Sequence, residues 1–388
     1  YGFIVISFMS KFCEKNIFNF TSQNMQASYY AKKLYKGEKI LIVGGGPATN
    51  ILTLLKAINY KLKYSRYYPS KSTLGDYSDK ITIFAQQFTM YPDMNLTGQQ
   101  VNTSCDEESA FELILFCEDQ NLKPIFIGTT ANKWNDKSVT VSTVTDWSNV
   151  TNEHHRNILK DQFQFVGPAY ATSGIMFDPV TYLFALNHIG IDTGFLPETC
   201  QVYAYIDDKM KVRISKDHVD RSYCITMMKP LWEQPDNIVN IMTDKFDKSE
   251  DVNDYVSIRN DSIEYPSQKL DTIITAVING EYKLPDDVNV ITIGDAITGD
   301  LDDIIMYLCA LGSTTGPVSI IYTTAPCDPH HQIPFNPKDM KIKDYLMTYQ
   351  NSPSSVLGYM RGYNLAKELF YMFENEVKDK KIRITPGS

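Results

Sequence analysis

The stretch that decides how this chain is expected to fold is Lys39–Thr49, with the sequence KILIVGGGPAT. Its first half is a short apolar run rich in β-branched residues, which predicts a buried strand. Three glycines follow at once, and apolar residues at positions 51, 54, 55 and 58 then mark one face of a helix. Pro47 suits the start of that helix, where its missing N–H is harmless. Because a helix N-terminus presents free N–H groups and a positive dipole end, the turn is predicted to suit a phosphate group.

The spacing of the glycines, Gly44-x-Gly46-x-x-Thr49, is that of a turn that holds a dinucleotide. The first glycine permits the tight turn, and the second lets the backbone approach a pyrophosphate. The third position, normally Gly or Ala, is Thr49 here. A second strand is predicted at Lys80–Ala85, after an insertion at 60–80. The alternative is an ordinary glycine turn that binds no ligand.

A second motif lies near the other end of the chain, where the apolar run from Val290 ends in Gly294-Asp295-Ala296. A helix is predicted directly afterwards, at 301–311. In this arrangement Asp295 is placed to bond a ribityl hydroxyl, and Gly294 lets the backbone come close. The alternative is that Asp295 serves only as a turn residue or helix cap. The two motifs together favour a cofactor site more than either does alone.

The two motifs resemble those of FAD flavoproteins with two dinucleotide-binding domains, and most of all the renalase and amine-oxidase branch. Ile40–Ala48 matches the N-terminal motif and Ile291–Ala296 the C-terminal one. Phe165–Ile214 and Tyr223–Pro230 resemble the family more loosely. The resemblance implies an α/β, Rossmann-like FAD/NAD(P)-binding fold with an interleaved smaller α+β domain, and FAD as the cofactor.

At the positions where that family contacts FAD, this chain carries residues that bind the cofactor less strongly. The second strand ends in Gln86 or Gln87, where the family has a Glu or Asp on the adenosine ribose, so a charge-assisted contact is lost. Thr97-Gly98-Gln99 lacks the arginine of the family's Gly-Gly-Arg. These departures predict degenerate cofactor motifs, with FAD weakly bound or lost. The residues that the resemblance assigns to the cofactor are Gly44, Gly46, Pro47, Ala48, Gln86, Gly98, Gly294 and Asp295. No catalytic residue is identified.

The rest of the chain predicts alternating helices and strands, with extensions at both ends. Helices are predicted at 107–119, 179–189 and 354–377, and strands at 123–128, 137–145, 199–206 and 210–215. The predicted divisions are an N-terminal extension (1–37), the first part of a dinucleotide-binding domain (38–150), an interleaved α+β region (151–287), the closing part of the dinucleotide-binding domain (288–325), and a C-terminal arm and helix (326–388).

Composition narrows the classes of function. The chain has 388 residues and a formal net charge of −9, which argues against a general nucleic-acid binder. Seven scattered cysteines contain no C-x-x-C pair, so neither a disulfide framework nor a zinc site is indicated. The adjacent pairs His154-His155 and His330-His331 do not make a metal site by themselves. No apolar run reaches the roughly 18–20 residues of a transmembrane helix.

Three functions follow as alternatives. The first is a non-catalytic accessory subunit of a larger assembly of proteins, favoured by the degenerate motifs and a proline-rich arm at 326–353. The second is an active FAD-dependent oxidoreductase that oxidises a small amine or a reduced nicotinamide. A methyltransferase is a third reading of the glycine turn, but the late Gly-Asp-Ala motif argues against it.

The two ends of the chain bear on where the protein works. The segment 1–37 carries five lysines against a single acid, Glu14, which resembles an organellar presequence remnant and favours mitochondria. The alternative is a disordered leader on a cytoplasmic protein. The basic tail at 378–383 is expected to be solvated, or to face an anionic membrane surface or an acidic partner.

Overall fold

The computed structural model of the chain describes residues 23–65, 68, 71–88, 101–128, 133–134, 137–138, 147–166, 177–193, 198–209, 211–229, 268–294, 301–322, 369 and 371–386. The helices in these ranges are α1 (Gln23–Tyr35), α2 (Ala48–Tyr64), α3 (Val101–Cys105), α4 (Glu107–Asp119), α5 (Glu153–Val166), α6 (Phe177–His188), α7 (Gln268–Ile278), α8 (Leu301–Ser313) and α9 (Glu374–Lys378). The strands are β1 (Lys39–Gly44), β2 (Ile81–Ala85), β3 (Ile125–Phe126), β4 (Lys133–Trp134), β5 (Lys137–Ser138), β6 (Thr199–Ile206), β7 (Val212–Ser215), β8 (Tyr223–Met228), β9 (Val288–Gly294), β10 (Val318–Tyr322) and β11 (Ile382–Pro386). Short 3-10 turns span Leu74–Lys80 and Trp147–Asn149.

Nine of the strands form one mixed sheet in the order β11-β10-β9-β1-β2-β3-β8-β6-β7. The seven strands from β11 to β8 run parallel, and β6 and β7 are antiparallel to their neighbours. Strands β4 and β5 pair separately as a short antiparallel ribbon. The prediction of an α/β fold is confirmed at this level. The predicted hairpin of the interleaved region, β6–β7, joins the main sheet through β8.

The central strands are buried on both faces because helices cover both sides of the sheet. In β1, Leu41 and Val43 pack into a cluster with α6, α7 and α8. Their neighbours Ile40 and Ile42 point the other way, into a cluster with α1, α2 and α4. Strands β9 and β10 are buried along their whole length. This double burial explains why the central strands are continuous apolar runs rather than alternating ones.

Helix α1 lies within the segment predicted to be an N-terminal extension, yet it belongs to the core. Ala27, Tyr30, Ala31 and Leu34 are completely buried. The Tyr30 hydroxyl donates to Ser319 Oγ at 2.5 Å, and Gln26 Nε2 donates to Thr385 Oγ1 at 2.5 Å. From Gln23 onward the segment is therefore a packed helix that ties β10 and β11 together, and residues 1–22 lie outside the described residues.

Tyr30→Phe is expected to lower the free energy of unfolding by about 1–2 kcal/mol, because the buried Ser319 hydroxyl would lose its donor. Urea unfolding of the two proteins measures this difference. Tyr60→Phe is the matched control, since Tyr60 is 60% exposed, and it should change stability by less than about 0.5 kcal/mol. Equal effects of the two substitutions would contradict the assignment of Tyr30 to the core.

The basic tail at 378–383 leads into the edge strand β11, which was not predicted, while the Lys378 and Lys381 side chains are exposed as expected, at 63% and 65%. Ile382 and Ile384 are buried, and their alternation with polar residues is that of a strand with one apolar face. Arg383 stacks on the ring of Tyr29, with its guanidinium carbon 3.8 Å from the ring centroid. Pro386 ends the strand at the sheet edge, where a residue without an N–H is tolerated.

Other predicted elements have mixed outcomes. The helices at 107–119 and 179–189 and both strands of the hairpin are confirmed within a few residues. The predicted strand at 123–128 is limited to Ile125–Phe126. Residues 139–145 of another predicted strand, the arm at 326–353 and most of the predicted helix at 354–377 lie outside the described residues.

Candidate functional site at the glycine turn

The glycine turn joins the central strand β1 to helix α2, as the sequence predicted. The Gly45 N–H donates to Ile293 O at 2.6 Å, which ties the turn to the end of β9. The Gln86 N–H donates to Gly44 O at 2.8 Å, which ties it to the residue after β2. The chain's own atoms bury every residue from Gly44 to Ala48. The turn is thus an enclosed junction of three parallel strands.

The strand and the helix pack closely at Gly44. A Cβ at this position would lie 2.6 Å from Ile51 Cδ1 in α2. Thr49, which stands where close packing usually requires Gly or Ala, donates its hydroxyl to Asp106 Oδ2. The other Asp106 oxygen accepts the Ser109 N–H at 3.0 Å and so caps α4. Thr49 therefore serves an internal contact between α2 and α4.

Gly45 lies directly against the carboxylate of Asp178, a residue in the first turn of α6. A Cβ at Gly45 would be 2.1 Å from Asp178 Oδ2 and 2.4 Å from both Oδ1 and Cγ. Asp178 is only 4% exposed. Gln86 Nε2 donates to Asp178 Oδ1 at 2.5 Å and to Thr181 Oγ1 at 2.9 Å. A buried carboxylate is thus held on the turn by a buried amide.

Two further amides bind the carbonyls of the turn. Asn102 Nδ2 donates to Gly45 O at 2.6 Å and to Gln86 O at 3.2 Å. Gln87 Nε2 donates to Gly46 O at 3.0 Å. Thr103 Oγ1 donates to Gln87 Oε1 at 3.2 Å and so holds the Gln87 amide in place. These bonds connect the turn to α3, so its conformation is specified by protein side chains.

Gly294, the last residue of β9, has a similar environment. A Cβ there would lie 2.1 Å from Asp303 Oδ1 and 2.2 Å from the Tyr307 hydroxyl, both in α8. Asp303 and Tyr307 are completely buried. In the same first turn of α8, Asp302 Oδ2 accepts the Asp178 N–H at 3.3 Å. Acidic side chains therefore approach the glycines at the ends of both β1 and β9.

The structure brings most of the predicted site residues together at this edge of the sheet. They are Gly44, Gly46, Pro47, Ala48, Gln86 and Gly294. Gly98 and Asp295 lie outside the described residues. Sequence reasoning did not assign Asp178 or Asn102 to the site. The Asp178-Pro179 pair at the start of a predicted helix indicated only a helix N-terminus.

The residues around Gly45 do not fit the pyrophosphate of a dinucleotide. The space beside Gly45, where a phosphate would approach the backbone, is occupied by the Asp178 carboxylate. The negative charge of that carboxylate would repel a phosphate. The Gln86 amide, which the resemblance assigns to the cofactor, is bonded to Asp178 and Thr181. A bound dinucleotide would have to displace buried and hydrogen-bonded protein atoms.

A separate buried polar cluster joins α5 to the C-terminal segment. His155 Nε2 donates to Glu376 Oε1 at 2.8 Å, and His154 Nε2 lies 2.8 Å from Met372 O and 3.7 Å from Glu376 Oε2. Burial raises the pKa of the Glu376 carboxyl, but the hydrogen bond from His155 and the charges of both histidines outweigh burial and leave that pKa below its ordinary value. Within the described ranges, no group of three or more His, Cys, Asp or Glu side chains is arranged to hold a metal ion.

Glu376→Gln is expected to reduce stability by about 1 kcal/mol at neutral pH, since it removes the charge from a buried hydrogen bond. A lowered folded-state pKa stabilises the fold above the ordinary pKa of 4.5 and loses that contribution as pH falls. The difference between variant and wild type should therefore shrink below about pH 4.5 in urea titrations.

Glu374→Gln is the matched control, because Glu374 forms an exposed pair with Lys378 and should contribute less than about 0.5 kcal/mol at any pH. A Glu376→Gln difference that stays constant on acidification would contradict the account.

The described helices include none that is both long and apolar enough to cross a lipid bilayer. Comparisons of the chain with protein-family models, with characterised proteins and with solved structures find no significant match in any of the three. Inferences about function therefore rest on the sequence and on the geometry of the site.

Proposed function

We propose that this chain is a protein of the flavoprotein type whose phosphate-binding turn has been closed by its own side chains, and that it serves as a non-catalytic subunit of a larger assembly. The observation that carries the proposal is the Asp178 carboxylate seated on Gly45 and held there by Gln86. A site can be lost while the fold that held it persists.

The order of six strands supports the Rossmann-like part of the proposal. From one side to the other they run β3-β2-β1-β9-β10-β11. Numbered by their sequence among these six, that order is 3-2-1-4-5-6, the usual order of dinucleotide-binding sheets. The glycine turn follows the first strand, where such proteins bind the pyrophosphate. Both features agree with the resemblance of the two glycine motifs to flavoproteins.

The charge at the turn supports the loss of the cofactor. Two like unit charges about 4 Å apart repel by about 4 kcal/mol at an effective dielectric constant of about 20. That repulsion would weaken binding of a pyrophosphate by about a thousandfold. Asp302 lies in the same region, with Oδ2 3.3 Å from the Asp178 backbone nitrogen, and adds a second carboxylate. The turn therefore presents negative charge where a dinucleotide needs donors.

The assembly, and its location in mitochondria, rest on features of the sequence. Both are tested by separating a native extract of the source organism by size, and its organelles by sedimentation, and then detecting this chain in the fractions. We expect the chain to travel in a complex much larger than its monomer and to sediment with mitochondria. A chain that migrates as a free monomer and shows oxidoreductase activity would contradict the proposal.

The alternative function is an active FAD-dependent oxidoreductase acting on a small amine or a reduced nicotinamide. The retained strand order and the glycine turn at the N-terminus of α2 favour it. In that case Gly44, Gly46 and Asp295 would hold FAD, and the Asp178 side chain would have to leave Gly45 first. Activity with these substrates that depends on added FAD distinguishes this alternative from the accessory subunit.

A further inference from the structure

Exposed tyrosine rings gather at the C-terminal ends of α1 and α2. Tyr60 and Tyr64 are each 60% exposed, and Tyr35 is 42% exposed. The rings of Tyr60 and Tyr64 lie 4.9 Å apart, and those of Tyr35 and Tyr68 lie 5.0 Å apart. Exposed apolar rings that lie next to one another, rather than singly, are typical of a surface that contacts another molecule.

The two ring pairs belong to one region of the molecule. Tyr68 follows Tyr64 by four residues, so their Cα atoms lie within about 14 Å of each other. Just after α1, a Cβ at Gly37 would lie 3.5 Å from Lys80 Nζ, at the start of β2. The region lies beside the N-terminal end of β1, whereas the glycine turn follows the C-terminal end of the same strand.

The region is also basic. Helices α1 and α2 contain no Asp or Glu. Lys33 and Lys56 are paired with Glu38 and Glu112. Four further lysines form no ion pair with the residues that the structure describes: Lys32, Lys61 and Lys63 in these helices, and Lys36 directly after α1. Lys63 Nζ lies 5.5 Å above the Tyr64 ring.

The positive charge of this region contrasts with the net charge of −9 on the whole chain. The acids nearest in sequence are Glu38, which pairs with Lys33 and also interacts with the charge of Lys36, and Asp76 and Asp79 on the β2 side, of which Asp76 accepts the Thr73 N–H. Helix dipoles favour lysines in the last turn of each helix, but they do not account for the exposed rings. We call the four unpaired lysines with Tyr35, Tyr60, Tyr64 and Tyr68 the tyrosine–lysine surface.

We propose that the tyrosine–lysine surface binds the face of a membrane that contains anionic lipids. Tyrosine rings settle at the headgroup level, with an apolar body and a polar tip, and lysines are attracted to anionic headgroups. The cores of protein interfaces are depleted in lysine. Binders of single-stranded nucleic acid place such residues along a groove, whereas here Tyr35 and Tyr64 are the last residues of two helices. This inference does not depend on the state of the glycine turn.

Sedimentation of the full chain with phosphatidylcholine vesicles, with and without phosphatidylserine, tests the proposal. We expect binding only to vesicles that contain phosphatidylserine, and release as salt is raised. Lys32→Glu with Lys63→Glu should lower the partition coefficient at least about 25-fold, since each lysine near an anionic surface contributes about fivefold.

The control is Lys160→Glu with Lys209→Glu, which changes the net charge equally at two exposed lysines outside the surface. Lys160 lies on α5 and Lys209 in the β6–β7 turn, and this variant should keep most of the binding. No binding to anionic vesicles, equal loss in both variants, or tighter binding to a single-stranded oligonucleotide than to vesicles would each overturn the proposal.

Discussion

Gly312→Ala is expected to destabilise the protein by about 4 kcal/mol or more. A Cβ at Gly312 in α8 would lie 2.1 Å from Val277 O and 2.5 Å from Ile278 O, at the end of α7. Both atoms belong to the backbone, so no rotamer change can relieve the overlap. The helices would have to separate, which would open the cluster that buries Leu41 and Val43. Urea unfolding followed by circular dichroism measures the loss.

Gly316→Ala is the control for this prediction. The nearest atom to a Cβ there is Thr314 Oγ1 at 4.0 Å, so the added methyl group makes only an ordinary van der Waals contact. Its effect should stay within about 0.5 kcal/mol. A Gly312→Ala protein as stable as this control would show that α7 and α8 do not approach as closely as described.

Gly45→Ala is expected to destabilise the protein by about 3 kcal/mol, because the new methyl group would overlap the Asp178 carboxylate. Gly45 is not among the described glycines with a left-handed backbone, which are Gly37, Gly190 and Gly280. The backbone at position 45 therefore tolerates alanine, and the carboxylate accounts for the penalty. Guanidinium unfolding of the variant gives its size.

The companion variant Asp178→Ala separates this cause from others. By itself it should cost about 1–3 kcal/mol, because the Gln86 amide loses a buried acceptor. In its background, Gly45→Ala should cost less than about 1 kcal/mol, so the two substitutions are strongly coupled. Additive effects would mean that Asp178 does not occupy the space at Gly45.

The sequence predicted the local parts of this fold well, since they depend on neighbouring residues. The apolar run at 39–43, the glycines and the spacing at 51, 54, 55 and 58 specify a strand, a turn and a helix without reference to the rest of the chain. The strand before Gly294 and the helix after it are specified in the same way. The turn chemistry of Asp207, which accepts the N–H groups of Lys209 and Lys211, made the β6–β7 hairpin predictable.

The contacts that decide the state of the site could not be predicted, because they join distant parts of the chain. Nothing near Asp178 in sequence indicates that its carboxylate would meet Gly45, and an acid in the first turn of a helix is common. Asn102 lies between the predicted elements, and its bond to Gly45 O depends on where α3 packs. The weaker groups at Gln86 and Thr49 were visible in the sequence, but their internal partners were not.

Composition also misled at both ends of the chain. Residues 23–35 are basic and polar on average, which resembles a leader, although Ala27, Tyr30, Ala31 and Leu34 are spaced to form one buried face. At the other end, the lysines around β11 concealed the alternation of Ile382 and Ile384. Helix α1 and strand β11 contact each other, since Gln26 Nε2 donates to Thr385 Oγ1.

The central claim is that the glycine turn is closed by the chain's own carboxylate and takes no dinucleotide. The visible absorption spectrum of the protein, purified gently from its source, tests that claim most directly. We predict no flavin band, and none after incubation with FAD and removal of the excess. A flavin band at about one per chain would contradict the claim. It would also require the Asp178 side chain to leave Gly45.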